Sequence, residues 1–588
     1  MENENSTTNK YKRKRKKTFL KNARKYGKKG CYGRGTQLDA DTYQYFIRIM
    51  EAYREGFEND EDKKIFVENV FQQTENEEVN CSCNQVGCRV IEMLLPFAND
   101  SIIERYMNAF GEELRPLCSD RFASHVLEAL LKESCKRSLD KNVNAEVREK
   151  FKGFTIKISK FLLNNLEDFV WDTYGNHIIR SIFRNLAQLP EEDTKQNKKN
   201  DTQDETNSND IPSDYDDILK DYSERLIAWP QFKDLPYTEV TSGMLQILLK
   251  VLSKVNMKML KKYIKKILDE SFCVSSEVEI AKDSNKLPDV FMSKPAIMLF
   301  ETMIETARPK YYTQIYAKCF KGHICALAIL KITNFAVQKL LMHCREKVEF
   351  EEIFEELNSH FEEIISAGHT GVILAIAQAC QRLAAKQGSF IQNLTKALHC
   401  EEPEERQNDL LLCLCKFVSY EQLQDLKITN YEKEKLNLHG TLILQSILEF
   451  NKPIKFVNAI LDMEVSKLKG LFSNTMGSHI VDSFVKSKFI GEKSREKLIR
   501  KLQGKYQDLA STKYGSRSFE AMWNVCGMKF RINIMDELSY KDAAWSNSEF
   551  GRIIANKVNL ALYKRNKDEW KASLNKSTKI KQLTDLLE

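Results

Sequence analysis

Apolar side chains recur through the interior of the chain at positions i, i+3 and i+4, which is the spacing of one face of an α-helix. Two stretches carry this pattern most clearly: Ile102, Ile103, Tyr106, Met107, Phe110 and Leu114, and Leu498, Ile499, Leu502, Tyr506 and Leu509. No apolar run in the sequence approaches the roughly 20 residues that a membrane-spanning helix needs. The pattern therefore predicts amphipathic helices that bury their apolar faces against one another.

A second pattern marks another helix and recurs with a period of about 36 residues. It reads Tyr-Gly-Asn-His-Ile-Ile-Arg over 174–180 and Tyr-Gly-Ser-Arg-Ser-Phe-Glu over 514–520. We take the small polar residue after the glycine as the marker of each repeat (position i), and eleven markers follow at Cys88, Ser124, Asn176, Ser242, Ile297, Asn334, Thr370, Thr441, Ser478, Ser516 and Gly551. Two helices per repeat, neither able to bury its apolar face alone, predict an all-α solenoid. The double-length gap after Thr370 predicts one further, degenerate repeat near 408–419.

Charge is distributed unevenly along the chain. The net charge is +7, from 90 Lys and Arg against 83 Asp and Glu. Residues 1–35 hold thirteen Lys and Arg and only two Glu, whereas 191–217 holds ten acidic residues and three Lys. A block so dense in one charge repels itself and indicates a nuclear or nucleolar signal, a nucleic-acid arm, or both. The core of the signal is Lys12, Arg13, Lys14, Arg15, Lys16 and Lys17.

These features predict five segments. We expect a disordered basic arm over 1–36, repeats over 37–186, a disordered acidic insertion over 187–217, repeats over 218–570 and a tail over 571–588. The acidic segment has almost no apolar residues with which to form a core.

The residues at i, i+1 and i+4 carry the candidate chemistry. On a helix, i and i+4 lie one turn apart on the same face, and i+1 lies beside them. Two hydrogen-bonding groups one turn apart can meet the Watson–Crick edge of an unstacked base, while a flat or cationic side chain at i+1 can stack on it. The sequence therefore predicts single-stranded RNA as a ligand. An ordinary solvated helix face is the alternative for the acidic i+4 positions.

On these residues, above all Gly-Asn-His-Ile-Ile-Arg and Gly-Ser-Arg-Ser-Phe-Glu, the chain resembles the Pumilio-type (PUF) repeat proteins over about residues 60–565. The resemblance implies an α-solenoid of about eleven Pumilio-type helical repeats that forms a curved or U-shaped superhelix. It also implies that one base is read per repeat.

The resemblance further implies roles for single residues. Guanine is implied by Cys88 with Glu92, Ser124 with Glu128 and Ser516 with Glu520; uracil by Asn334 with Gln338; and adenine by Ser242 with Gln246. Three pairs depart from the family pattern: Asn176 with Arg180, Thr441 with Gln445, and Ser478 with Asp482. The implied stacking residues are Arg89, His125, His177, Phe335, His479, Arg517 and Arg552.

The number of repeats, the insertion and the basic arm narrow the resemblance to the nucleolar protein 9 family of Pumilio-like ribosome-assembly factors. This implies a monomeric scaffold in the nucleus and nucleolus that binds precursor ribosomal RNA, single-stranded or partly structured, and works with assembly factors in small-subunit rRNA processing.

Two other functions stay open: a Pumilio-type regulator of mRNA, and a protein-binding solenoid of the HEAT or armadillo kind. We expect neither an enzyme nor a cofactor or metal site, because the sequence has no phosphate-binding glycine loop, no HExxH and no zinc-like Cys spacing.

Overall fold

The computed structural model describes residues 19–190, 211–273, 287–426, 428, 430–540 and 543–574. Within these residues the regular structure is helical, and one isolated bridge pairs Gly35 with Asn84. The prediction of an all-α repeat fold is confirmed. In the part of the chain that the structure describes, every helix is too short or too polar to span a bilayer. The signal Lys12–Lys17 and most of the acidic insertion lie outside the described residues.

The chain divides into two compact units, Met1–Ala307 and Arg308–Glu588. In each unit a repeat consists of a short helix, the helix that carries the marker, and a longer helix that follows. We call the second of these the marker helix. The sequence pattern predicted two helices per repeat and missed the short one, because a helix of about one turn is too short for a period to show.

The N-terminal unit opens with a helical segment over 19–27 and then the helices Ala40–Glu55 and Asp60–Gln72. Its five marker helices are Gln85–Leu94, Ala123–Leu139, Thr173–Leu186, Glu239–Val255 and Lys294–Thr306. The short helices before them are Glu78–Ser82, Leu114–Ser119, Leu166–Phe169 and the 3₁₀ turns Phe232–Tyr237 and Asp289–Met292. The longer helices are Asp100–Glu112, Ala145–Asn164, Ser213–Ile227 and Met257–Ile267. Each marker helix packs against the next.

The C-terminal unit repeats this arrangement six times. Its marker helices are Asn334–His343, Thr370–Leu383, Leu438–Leu448, Ser478–Lys486, Lys513–Val525 and Glu549–Lys557. The short helices are Ile324–Ile329, Phe361–Ser366, Leu410–Lys416, Val465–Phe472, Tyr506–Ser511 and Ala543–Ser546. The helix Pro309–Ile315 follows the fifth marker helix in the chain, and the longer helices of the repeats in this unit are Lys347–Leu357, Gln387–Ala397, Ile454–Asp462, Glu492–Lys501 and Met528–Ser539. Two further helices are Tyr420–Asp425 and Leu560–Arg565.

The degenerate repeat predicted near 408–419 is not a repeat. The helix there, Leu410–Lys416, packs against the marker helix Leu438–Leu448 as its short helix. The marker helix Thr370–Leu383 packs directly against Leu438–Leu448, so no repeat fits between them. Every residue from Leu410 to Cys415 is buried, which leaves that helix no polar face. The extra length lies in the loops on either side of it.

Two segment boundaries also differ from expectation. The helix Ser213–Ile227 begins inside the expected acidic insertion, where Tyr215 is fully buried and its hydroxyl lies 2.8 Å from that of Ser138. The helical segment 19–27 lies inside the expected arm, where the buried Ala23 accepts a hydrogen bond from Tyr43. In both places the local excess of charge masks a few apolar residues at helical spacing.

Most marker helices follow a polar side chain that lies four residues before the marker and accepts from backbone N–H groups of the first turn. The side chain of Asn474 accepts from the backbone N–H of Met476 and Gly477, and its amide donates to three carbonyl groups in the loop before the marker helix Leu438–Leu448. Such caps satisfy backbone N–H groups that have no partner within the helix. Equivalent caps are Asn84, Asp120, Asp172, Thr238, Asn437 and Thr512.

A glycine next to the marker lets the first turn of the marker helix touch the short helix. A Cβ at Gly477 would lie 2.0 Å from the carbonyl oxygen of Leu471, and one at Gly440 would lie 2.0 Å from that of Leu414. No side chain fits so close to a backbone atom. The contact therefore fixes both the distance between the two helices and the rotation of the marker helix about its axis.

We expect Gly477→Ala to lower the free energy of unfolding by about 1–3 kcal/mol, because the added methyl group must push two backbone segments apart. Chemical denaturation followed by circular dichroism measures this change. The matched control is Gly153→Ala, on the helix Ala145–Asn164, where nothing lies within 4 Å of the added carbon. The free energy of unfolding of the control should rise by up to about 1 kcal/mol, because alanine has the higher helix propensity. Equal stability of the two variants would contradict the close contact between Gly477 and Leu471.

A histidine joins segments of the seventh and eighth repeats. His399 Nδ1 lies 2.8 Å from Glu421 Oε2, and Nε2 lies 3.1 Å from Glu362 Oε1. Hydrogen bonds to Glu362 and Glu421 raise the pKa of His399. A backbone hydrogen bond and then the bond from His399 lower the pKa of Glu421 to about 2.

This arrangement predicts stability that depends on pH. Since the pKa of His399 is raised on folding, its contribution is complete below the unfolded-state value of about 6.5 and is lost as the pH rises through the folded-state value. We expect the melting temperature of His399→Gln to fall furthest below that of the native chain near pH 5.5, with the gap closing toward pH 8.5. A gap that does not change with pH would contradict the ion-pair role. The effect is modest because the site is solvent-screened.

Candidate nucleic-acid interface

The marker side chains face into the solenoid rather than out of it. Cys88, Ser124, Asn176, Ser242, Asn334, Thr441 and Ser478 are buried, and Ser516 is half-buried. Most of them donate to backbone carbonyl groups; Cys88 Sγ, for example, lies 3.1 Å from the carbonyl oxygen of Phe122. Ser124 Oγ is buried with no partner. The accessible polar groups of each predicted pair are therefore those at i+4.

Three of the predicted pairs are hydrogen-bonded to each other. Arg180 Nε donates to Asn176 Oδ1 over 2.9 Å, and Gln338 Nε2 donates to Asn334 Oδ1 over 2.9 Å. Gln246 Nε2 lies 3.2 Å from Ser242 Oγ. In a fourth pair, Gln445 donates to the backbone carbonyl of Thr441. The marker thus holds the i+4 side chain in place beneath the position where a base would lie.

The predicted carboxylates at i+4 have intramolecular partners. Glu92 is 2.7 Å from Arg89, Asp482 is 3.2 Å from Arg517, and Glu520 is 2.8 Å from Lys557.

Glu128 accepts from the hydroxyl of Ser181 over 2.6 Å, and burial raises its pKa. The row of carboxylates is therefore largely compensated by neighbouring donors, which reduces its repulsion of a phosphate backbone.

The predicted stacking side chains lie on the surface. Arg89, His125, His177, Phe335 and Arg517 are exposed, and 56% of Phe335 is accessible. His479 is half-buried. Burial first, and then the charge of Arg180 or Arg517, lower the pKa of His177 and of His479. At neutral pH these two rings are consequently uncharged aromatic surfaces.

The stacking residue predicted for the eleventh repeat is wrong by one position. Gly551 sits three residues after the N-cap Ser548, and a Cβ there would lie 2.0 Å from the carbonyl oxygen of Trp545. Gly477 and Gly515 take the same place before their markers. The structure therefore puts Arg552 at the marker position and the exposed Ile553 at i+1.

The structure also places three Lys and Arg side chains along the marker helices that the sequence pattern did not identify. Lys132, Arg184 and Lys250 stand at i+8 of three successive repeats, two turns beyond the marker on the same helix face. Arg184 lines two cavities, of about 510 and 330 Å³. Lys132 lines the first, and Lys250 and Lys294 line the second. The i+8 spacing could have revealed this row in the sequence.

The comparisons with known proteins agree with the repeat geometry. A family model described as a NOP9-like PUF repeat domain matches residues 76–553. Nucleolar protein 9 of Mus musculus and of Homo sapiens are each 23% identical to this chain, over 566 and 573 residues, covering 91% of this chain and 88% of theirs. Pumilio homolog 23 of Arabidopsis thaliana is 22% identical over 560 residues and is covered to 73%.

Solved structures show the same fold. The structure of APUM23 with GGAAUUGACGG superposes with a TM-score of 0.71 at 19% sequence identity, covering 91% of this chain and 99% of that one. The Pumilio-type resemblance is thereby confirmed. With its eleven marker helices and the family match across them, the chain belongs to the family of NOP9-like PUF repeat domain proteins.

Proposed function

We propose that this chain is a scaffold that binds single-stranded or partly structured RNA along its marker helices, and that its RNA is precursor ribosomal RNA in the nucleolus. The observation that carries the proposal is the recurrence of one arrangement in successive repeats: an exposed stacking group at i+1 beside a fixed polar group at i+4. Recognition of one base per helical repeat requires this arrangement.

The polar groups at i+4 are fixed before any ligand arrives. Hydrogen bonds from Arg180, Gln246 and Gln338 to their markers limit the side-chain freedom that binding would otherwise remove. The cations at i+8 in the N-terminal unit supply contacts for the phosphates that link the bases. Such contacts make affinity fall as salt rises.

The names of the relatives indicate a cellular location and a class of ligand. Nucleolar protein 9 is named for the nucleolus, and APUM23 is bound to RNA in its solved structure. Carried over to this chain, these names support RNA binding in the nucleolus, and we propose that it acts there in small-subunit rRNA processing together with ribosome-assembly factors. We assign the nuclear and nucleolar signal to Lys12–Lys17 and additional phosphate contacts to the basic arm over 1–36.

A pair of substitutions in the tenth repeat tests the interface. We expect Arg517→Ala with Glu520→Ala to weaken binding of GGAAUUGACGG RNA by about 1–3 kcal/mol, through loss of one stacking platform and one edge contact. Fluorescence anisotropy measures the affinity. The control removes the exposed ion pair of Arg115 and Asp168, 2.6 Å apart and away from the marker helices, and should bind RNA as the native chain does. Unchanged affinity in the first variant, with its melting temperature also unchanged, would exclude base recognition by that repeat.

The localisation signal gives a separate test. We expect replacement of Lys12, Arg13, Lys14, Arg15, Lys16 and Lys17 by alanine to abolish nucleolar accumulation of a fluorescently tagged chain, while the purified variant keeps the affinity of its marker helices for RNA at high salt. Nucleolar accumulation of the substituted chain would place the signal elsewhere. Cytoplasmic accumulation of the native chain would favour a regulator of mRNA.

A further inference from the structure

The fourth repeat lacks a stacking side chain of its own, and we propose that Arg180 of the third repeat, seated on Gly243, supplies the stacking surface of a pocket there that binds an adenine nucleotide. This inference rests on the proposed function, because the nucleotide is part of a bound RNA strand. The pairing of Ser242 with Gln246 implies an adenine here, but the sequence gives no stacking side chain for it, since position 243, the i+1 position of this repeat, is a glycine.

The edge of the Arg180 guanidinium is held by three acceptors. Nε donates to Asn176 Oδ1 over 2.9 Å. Nη2 donates to the backbone carbonyl of Glu239 over 3.3 Å and to that of Val240. Both carbonyl groups belong to the first turn of the marker helix Glu239–Val255. With its edge engaged and its plane fixed, the guanidinium can offer a further partner its face.

One face of this guanidinium lies against Gly243. A Cβ built on Gly243 would be 2.7 Å from Cζ, from Nη1 and from Nη2 of Arg180. A point 2.7 Å from all three atoms lies out of their plane, above its Nη1–Nη2 end, so the guanidinium turns one face toward the glycine. Any larger residue at 243 would displace it. Planar Arg side chains stack well on aromatic rings and bases, unlike the ammonium group of Lys.

The other residues around this site form a cavity that can hold a nucleotide. A cavity of about 330 Å³ is lined by Arg180, Gly243, Gln246 and Met298, among others. Met298 is at i+1 of the fifth repeat and is 48% exposed, so a base read by the fourth repeat has the Arg180 plane on one side and a polarisable thioether on the next marker helix. Arg184, Lys250 and Lys294 line the same cavity, where they can contact the phosphates.

Gln246 is the group that reads the base edge. Ser242 is buried, donates to the carbonyl oxygen of Pro295 over 2.7 Å and lies 3.2 Å from Gln246 Nε2. After that contact the amide of Gln246 retains one N–H donor and its oxygen acceptor. A donor beside an acceptor complements N1 and the N6 amino group of adenine.

The test compares variants in their selection from a random 12-nucleotide single-stranded RNA library, with sequencing of the bound fraction and affinity measured by anisotropy. In the native chain, one enriched adenine should lose its enrichment in Gln246→Ala. The same position should lose it in Gly243→His and in Arg180→Lys, with affinity about 5- to 100-fold weaker, the loss expected for one base stack. Gly243→His is informative because imidazole is the stacking group of the second and third repeats, yet here it should weaken binding.

Two controls separate displacement of Arg180 from general damage. Gly153→His introduces the same residue on a helix where nothing lies within 4 Å, and it should leave selection unchanged. The double variant Arg180→Ala with Gly243→His should recover affinity relative to Gly243→His, because the imidazole can then enter the vacated slot.

The outcomes distinguish the two proposals. If the native chain selects RNA but Gly243→His and Arg180→Lys keep the enriched adenine and the native affinity, this inference is overturned. Arg180 then only joins the third and fourth repeats. If the native chain binds no member of the library, the proposed function fails, and the pocket fails with it.

Discussion

The rest of the structure depends on one contact: the first turn of a marker helix packs directly on the short helix before it. At Gly477 the two backbones approach so closely that only hydrogen fits between them, and Asn474 ties the same turn to the loop before the marker helix Leu438–Leu448. Together they fix the rotation of the helix. Because rotation decides which residues face outward, this contact buries the marker, exposes i+1 in most repeats and leaves i+4 half-buried. The surface that we assign to RNA is thus a consequence of backbone packing.

Charged side chains on the marker helices form ion pairs and hydrogen bonds with groups of neighbouring repeats. Arg517 contacts Asp482 of the preceding repeat, and Arg180 reaches the first turn of the following one. Such pairs keep carboxylates from repelling phosphate and keep guanidinium groups from moving freely. If RNA binds as we propose, its phosphates and bases meet charged groups that are already paired and held in place.

The sequence predicted the repeat architecture well, because a marker such as Asn176 recurs with aliphatic residues at helical spacing around it. The predictions from sequence were wrong where they rested only on the spacing between markers. The length between Thr370 and Thr441 indicated a hidden repeat, yet the structure shows no further marker helix among the described residues there, and the buried helix Leu410–Lys416 is the short helix of the next repeat. The repeat pattern places a marker at Gly551, and only the N-cap Ser548 reveals that the marker position is one residue later. The seating of Arg180 on Gly243 joins two repeats, so no pattern within one repeat could predict it.

Ultraviolet crosslinking of the purified full-length chain to single-stranded RNA, with the crosslinked peptides identified by mass spectrometry, tests the central claim most directly. The account predicts that adducts concentrate on the marker helices, at i+1 and i+4 positions such as His125, Gln246 and Phe335. It also predicts that they are absent from longer helices such as Ala145–Asn164 and Lys347–Leu357. Adducts confined to those longer helices would contradict it.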